Sequence, residues 1–152
     1  MTEEKRVDGP WIYEPDLVMF KVENLPCVLY RNPVSMVFCG YVGIPKGHHR
    51  YKHCLNIRDY DCQFIVHGGI TYSEAHLPRM LDIDFLKKDF WWLGFDCGHL
   101  GCDYVPNLPI SLSTGPKDYK TVQYAKSELT SLANQIAEYD VEADVPSLKI
   151  NV

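Results

Sequence analysis

The stretch Phe90-Trp91-Trp92-Leu93-Gly94-Phe95-Asp96-Cys97-Gly98-His99 constrains the chain more than any other. Its first half has the bulk of a buried strand, with four aromatics, a leucine and no charge before Asp96. Aromatic and branched residues suit a pleated, half-buried surface. The second half offers a carboxylate, a thiol and an imidazole within four residues, groups that need partners wherever water is excluded. A second segment repeats the grammar. Cys62-Gln63-Phe64-Ile65-Val66 is a short apolar run that ends in His67-Gly68-Gly69 and continues through Ile70-Thr71-Tyr72. Two strands that end in polar residues and glycines predict one site built between them.

The chain has 152 residues, long enough to bury a core without staples, and reads as one domain over 11–152 behind a flexible N-terminus at 1–10. Its six cysteines form no CxxC pair, and Met1-Thr2-Glu3-Glu4-Lys5-Arg6 leads into no apolar segment. Free thiols in a reducing cytoplasm are therefore expected. No run approaches the roughly 20 apolar residues of a membrane span, so no membrane partner is expected. A net charge of −5 argues against bulk binding to DNA or RNA, while leaving room for a local phosphate pocket.

Between Trp11 and Ile44 the pattern is strand and turn. Leu17–Val22 and Cys27–Tyr30 are apolar runs split by Glu23-Asn24-Leu25-Pro26, and Met36–Ile44 is the most strand-like run of this third. Gly40 and Gly43 inside it indicate a bulge or a close approach by another backbone or a ligand. Residues 46–58 are basic, with Lys46, Arg50, Lys52, Arg58 and three histidines. Leu81–Phe85 alternates like a short edge strand, and Leu148-Lys149-Ile150 reads as a last one. The one clear helix spans 117–138, where Val122, Ala125, Leu129, Leu132, Ala133 and Ile136 make an apolar stripe. The expected fold class is α+β: a mostly antiparallel β-sheet with this long C-terminal amphipathic α-helix packed on one face.

If the His67 and Asp96 strands are antiparallel neighbours joined by residues 73–89, pairing Ser73 with Phe90 sets His67 opposite Asp96. If they are parallel, both motifs meet at the carboxyl edge of the sheet, where ligand sites collect. Either arrangement brings His67 toward Asp96, Cys97 and His99.

Three ordered motifs resemble a family of small bacteriophage and prophage proteins. They are Cys39-Gly40-Tyr41-Val42-Gly43-Ile44-Pro45-Lys46-Gly47-His48, Val66-His67-Gly68-Gly69-Ile70-Thr71-Tyr72 and Trp91–His99. The likeness covers roughly residues 39–137 and leaves Trp11–Arg31 outside. It carries no activity to transfer. The family's histidine motif runs closely into Gly-Asp, whereas Leu100-Gly101-Cys102-Asp103 interposes a cysteine, which leaves Asp103 without an assigned role. Phage accessory proteins of this size often interfere with host defence, and some capture or cleave nucleotide immune signals. The resemblance therefore implies an anti-defence protein acting in the host cytoplasm on a small nucleotide-type ligand, by sequestration.

The residues admit several chemistries. His67, Asp96, Cys97, His99 and Cys102 are acceptable zinc or iron ligands, yet Cys97-x-His99 and His99-x-x-Cys102 match no established zinc spacing. No metal and no other cofactor is expected. As an enzyme, the chain would use His67, Asp96 and His99 for acid–base work on a phosphodiester, with Cys97 a nucleophile if His99 lowers its pKa. As a binder, it would stack a base on Tyr41, Tyr72, Trp91 or Trp92. Gly68 and Gly69 would bring backbone N–H groups to a phosphate, and Lys46, Arg50 or Lys52 would neutralise it. The plainer reading makes these groups strand-end hydrogen bonds and core rings. A protein-interaction inhibitor using the aromatic surface is a third class, and homo-oligomerisation is left open.

Overall fold

A computed structural model describes residues 9–58, 62–81, 83, 89–108 and 115–150, and in the C-terminal helix it describes side chains as far as Glu138. Five strands form one antiparallel sheet: β1 (Leu17–Val22), β2 (Leu25–Arg31), β3 (Phe38–Pro45), β4 (Tyr72–Glu74) and β5 (Phe90–Asp96). Their spatial order is β1-β2-β3-β5-β4, and α1 (Val122–Ile150) packs across β3, β2 and β1. The α+β architecture is the one the residue pattern predicts.

β1 and β2 form a hairpin in which Val22 pairs with Leu25, leaving Glu23 and Asn24 as a two-residue turn with φ of 50° and 68°. Two left-handed residues in sequence match the twist of the flanking strands, and Asn tolerates that conformation better than most side chains. The central pair, β3 and β5, has an uninterrupted register from Cys39↔Asp96 to Pro45↔Phe90. Gly40 and Gly43 therefore mark no bulge. Each faces a ring across the ladder: Gly40 pairs with Phe95, Gly43 with Trp92, and on β5 Gly94 pairs with Tyr41. A Cβ on Gly40 would meet Phe95 Cε1 at 2.6 Å, and one on Gly94 would meet Tyr41 Cδ1 at 2.5 Å. The ring of one strand lies over the missing side chain of the other, which covers bare backbone and pins the register.

Alternation sends Leu29, Phe38, Val42, Leu93 and Phe95 to the face under α1, and Tyr30, Tyr41, Phe90 and Trp92 to the other. The helix stripe seats as its spacing requires, with Ala125, Leu129, Leu132, Ala133 and Ile136 fully buried. α1 begins at Val122, where the stripe begins and later than the expected 117, because Pro116–Asp118 is a separate 3-10 turn and Thr121 caps the helix, accepting from Tyr124 N through Oγ1 at 3.2 Å. Glu14 adds a second cap from across the molecule, its Oε2 accepting from Val122 N at 2.9 Å. Its Oε1 takes the Tyr119 hydroxyl at 2.6 Å, and buried Arg31 reaches Tyr119, Asp16 and Glu14. A carboxylate at a helix N-terminus also meets the favourable end of the macrodipole. The N-terminal segment is thus a clamp on the start of α1, reinforced by the Trp11, Tyr104 and Tyr119 rings.

Several local expectations change. Residues 63–66 stay outside the sheet, and a side chain of α1 takes the place of a neighbouring strand at Ile65. Gln135 donates to Ile65 O at 2.7 Å and accepts from Ile65 N at 2.9 Å. Cys54 and Cys62 are joined in a disulfide with Cα atoms 5.2 Å apart, so the thiols are not all free; Cys27, Cys39, Cys97 and Cys102 are. Eight residues of separation make that closure entropically cheap once the basic stretch turns back. Backbone at 148–150 continues α1 instead of forming a strand. The expected edge strand over 81–85 falls mostly outside the described residues, as does the N-terminus up to residue 8; Pro10 already belongs to a 3-10 turn, Pro10–Ile12.

Leu132→Ala should lower unfolding free energy by about 2–5 kcal/mol in chemical denaturation, and Leu129→Asp by more, since it buries a charge against Gly40 and the sheet. A loss under 1 kcal/mol for Leu132→Ala would place α1 off the sheet.

Candidate functional site

β5 ends at Asp96, and Cys97 N extends its ladder by donating to Phe38 O at 3.0 Å. The chain then folds tightly back. Cys102 N and Asp103 N both donate to His99 O, at 3.2 and 2.9 Å, and this turn carries the Asp103 carboxylate beneath His99. Asp103 is completely buried. Its Oδ2 accepts from His99 N at 2.9 Å and from His67 Nε2 at 2.8 Å, while Oδ1 faces Lys120 Nζ in an ion pair at 3.0 Å. Burial works to raise this carboxyl's pKa. The bonds from His67, the His99 backbone and Lys120 outweigh it and hold Asp103 below the ordinary carboxylate range.

His67 arrives on a turn closed by Gly69 N donating to Val66 O at 2.8 Å, with Gly68 and Gly69 at φ of 71° and 79°. Gly68 has a second reason to lack a side chain: a Cβ there would lie 2.1 Å from His99 Nε2. Helix α1 fixes the rest. Glu128 Oε1 accepts from His67 N at 2.8 Å, and the Tyr124 hydroxyl lies 2.9 Å from His67 Nδ1. With Asp103 an acceptor only, Nε2 carries the imidazole proton and Nδ1 receives the Tyr124 O–H. Both nitrogens of His67 are committed. The His99 ring stands nearly edge-on to it, centroids 5.6 Å apart, and its buried Nε2 has no hydrogen-bond partner among the described residues. The nearest carboxylate to that nitrogen is Asp96 Oδ1 at 3.6 Å.

Asp96 is therefore not the partner of His67. The β4–β5 pairing is antiparallel, but Ser73 faces Leu93, three residues along from Phe90. Carried beyond the strand ends, that register sets His67 across from His99. Asp96 is held by its own neighbours, accepting from Thr71 Oγ1 at 3.1 Å and Gly98 N at 3.0 Å. It stands at the rim of a cleft of about 410 Å³ at this end of the sheet, lined among others by Tyr41, Tyr72, Thr71, Asn32, Ser35 and Phe95.

The remaining candidates are dispersed. Cys97 points into the core beneath α1, and burial pushes its thiol well above the ordinary range, the opposite of an activated nucleophile. Trp91 is buried on the helix side with Nε1 donating to Ser73 Oγ at 2.8 Å, and Trp92 is buried on the other face over Gly43. Lys46 follows Pro45, which pairs with Phe90 at the end of β5 remote from Asp96. Arg50 is buried with its guanidinium 4.8 Å from the Phe64 ring centre, and Lys52 Nζ lies 5.9 Å from that of Trp91. Asp103 carried no assigned role in the sequence, and Lys120, Tyr124 and Glu128 were not singled out there. The last three recur every four residues along one flank of the helical segment, a spacing that marks a shared face.

The chain matches no protein-family model, and comparison with curated proteins and with solved structures gives no match. No helix among the described residues is long and apolar enough to cross a membrane.

Removing Asp103 strands His67, Lys120 and the His99 N–H together, so Asp103→Ala should cost about 3–5 kcal/mol of stability. The pH dependence has a definite sign. The folded pKa of Asp103 lies below its ordinary value of 3.8, so its contribution is complete above that value and is lost as pH falls through the folded one. The stability gap between wild type and Asp103→Asn should be constant near neutrality and narrow below about pH 4 in denaturant titrations.

Proposed function

We propose that the protein captures a small nucleotide-type ligand in the cleft beside Asp96 and acts by sequestering it. The observation that supports this reading is the cleft itself. Its volume of about 410 Å³ suits a ligand of nucleoside size, and aromatic walls from Tyr41 and Tyr72 meet a carboxylate at the rim. The Thr71 hydroxyl donates to Asp96 and so aims its own lone pairs, with those left on the carboxylate, at N–H groups of a base edge. Likeness to phage accessory proteins supports taking the ligand as a host immune signal and the setting as the host cytoplasm. Lys46, Arg50 and Lys52 stand outside the cleft lining, so the reading rests on base recognition more than on phosphate neutralisation.

A second reading, hydrolysis of such a ligand, is favoured by one feature. His67 is oriented by Asp103 as a catalytic imidazole would be, and His99 Nε2 beside it is uncommitted. Here His99 is the group able to take or give a proton, with His67 and Asp103 supporting it.

Mass spectrometry of material released by heat from protein purified out of infected cells separates the readings. Intact nucleotide in stoichiometric amount supports sequestration, and altered product at substoichiometric protein supports hydrolysis. No bound small molecule, together with no thermal shift against a panel of signalling nucleotides, would sink both and leave the protein-interaction class. Asp96→Ala should weaken capture by about 1–3 kcal/mol by calorimetry while leaving the melting temperature nearly unchanged.

A further inference from the structure

The three groups that meet behind the cleft have a property the capture reading does not use. One ring nitrogen each of His67 and His99 and a carboxylate oxygen of Asp103 lie within 4.8 Å of one another. Two imidazoles and one carboxylate are a donor set that suits zinc and other divalent first-row ions. We propose that His67, His99 and Asp103 form a binding site for one divalent transition-metal ion of the zinc class. The inference stands apart from the ligand reading above.

Three features carry it. Zinc binds imidazole nitrogen and carboxylate oxygen at about 2.0–2.2 Å, which sets neighbouring donor atoms roughly 3 Å apart. His67 Nε2 and Asp103 Oδ2 are 2.8 Å apart already. The same bond length puts the centres of two bound rings roughly 5–6 Å from each other, and those of His67 and His99 are 5.6 Å apart. His99 Nε2 is buried with no hydrogen-bond partner among the described residues, so its ring can swing the remaining distance giving up only the 3.6 Å approach to Asp96 Oδ1. Burying a polar nitrogen in that state is costly unless something engages it.

The surrounding shell is that of a metal site. A metal-bound histidine characteristically donates its other ring N–H to an oxygen: an ion taking Nε2 replaces the proton shared with Asp103, the imidazole proton shifts to Nδ1, and the Tyr124 hydroxyl 2.9 Å away turns to accept it. Lys120 holds the second oxygen of Asp103 at 3.0 Å, leaving Oδ2 to coordinate through one atom. Asp96 beside His99 and Glu128 beside His67 add the negative charge that offsets Lys120 and a dication. His67 and His99 keep 11% and 28% of their side-chain surface exposed, so an ion can enter from solvent and retain water or a ligand atom as further donors. Three protein donors with open positions are the pattern of catalytic, not structural, zinc.

The test uses the full chain, chelator-treated and then titrated with Zn²⁺ and separately with Co²⁺. One equivalent of zinc per chain by elemental analysis is expected, with a rise in melting temperature that tracks free zinc. The cobalt form should show ligand-field bands without thiolate charge-transfer absorption, since no cysteine is a donor. His99→Ala should lower zinc affinity by at least about 100-fold, and Tyr124→Phe by about 10-fold, as loss of a supporting partner does. Cys102→Ser and the double variant His48→Ala/His49→Ala should bind as wild type. Absence of stoichiometric zinc, unchanged affinity in His99→Ala, thiolate bands in the cobalt spectrum, or loss of binding in Cys102→Ser or the double variant would each overturn the proposal. Should His99→Ala fail to fold, stoichiometry and the cobalt spectrum of the wild-type protein decide alone.

Discussion

A carboxylate with no exposed surface holds the site together. Asp103 sits where three pieces of chain converge: the turn after β5, the His67 loop and the lead-in to α1. An isolated charge in that position would cost several kcal/mol. It persists because a backbone N–H, an imidazole N–H and an ammonium surround it, and those three donors come from sequence positions 99, 67 and 120. The consequence is mutual. Asp103 orients His67, and His67 with Lys120 keeps Asp103 ionised.

That arrangement depends on the sheet behind it. Glycines on β3 and β5 lie under the rings of their cross-strand partners, so the ladder cannot slip by a residue without driving a ring into a side chain. The fixed ladder sets where β5 ends, and so where the 97–103 turn begins. On the other side of the site, Glu14 and Arg31 clamp the start of α1, and α1 presents Tyr124, Glu128 and Gln135 to the 65–67 segment. A helix that the apolar stripe alone would make purely structural therefore also builds the site with its polar flank.

The two histidines differ in what they can still do. His67 has both nitrogens engaged and works as a part of the frame. His99 has its backbone anchored and a ring nitrogen uncommitted, and it stands between the Asp103 cluster and the Asp96 rim of the cleft. Proton transfer at this site would pass through His99, whereas the proposed coordination would draw on His67 and Asp103 as well. Cys97 takes no part, because strand alternation continues through it and turns its sulfur into the core beneath α1.

Local pattern alone determined the strand runs of β1, β2, β3 and β5, a turn within Glu23–Pro26 and the apolar stripe of α1, while pairing with β1 drew Leu25 and Pro26 into β2. Each is a preference of neighbouring residues, and burial on one face enforces it. The convergence of His67 with the end of β5 was legible for the same reason, since both segments end in polar residues that need partners. Which residue serves which was decided elsewhere. A three-residue shift of the β4–β5 register exchanged Asp96 for His99 across from His67, and the connection over 75–89 has no short-range signal that sets it. Asp103 and Tyr124 reach His67 from 36 and 57 residues away, and the disulfide between Cys54 and Cys62 needs a turn that brings their Cα atoms to 5.2 Å. Such pairings arise only when helix, sheet and loop dock together. Hydrogen bonds and ion pairs act over a few ångströms, and distance along the chain does not reveal distance in space.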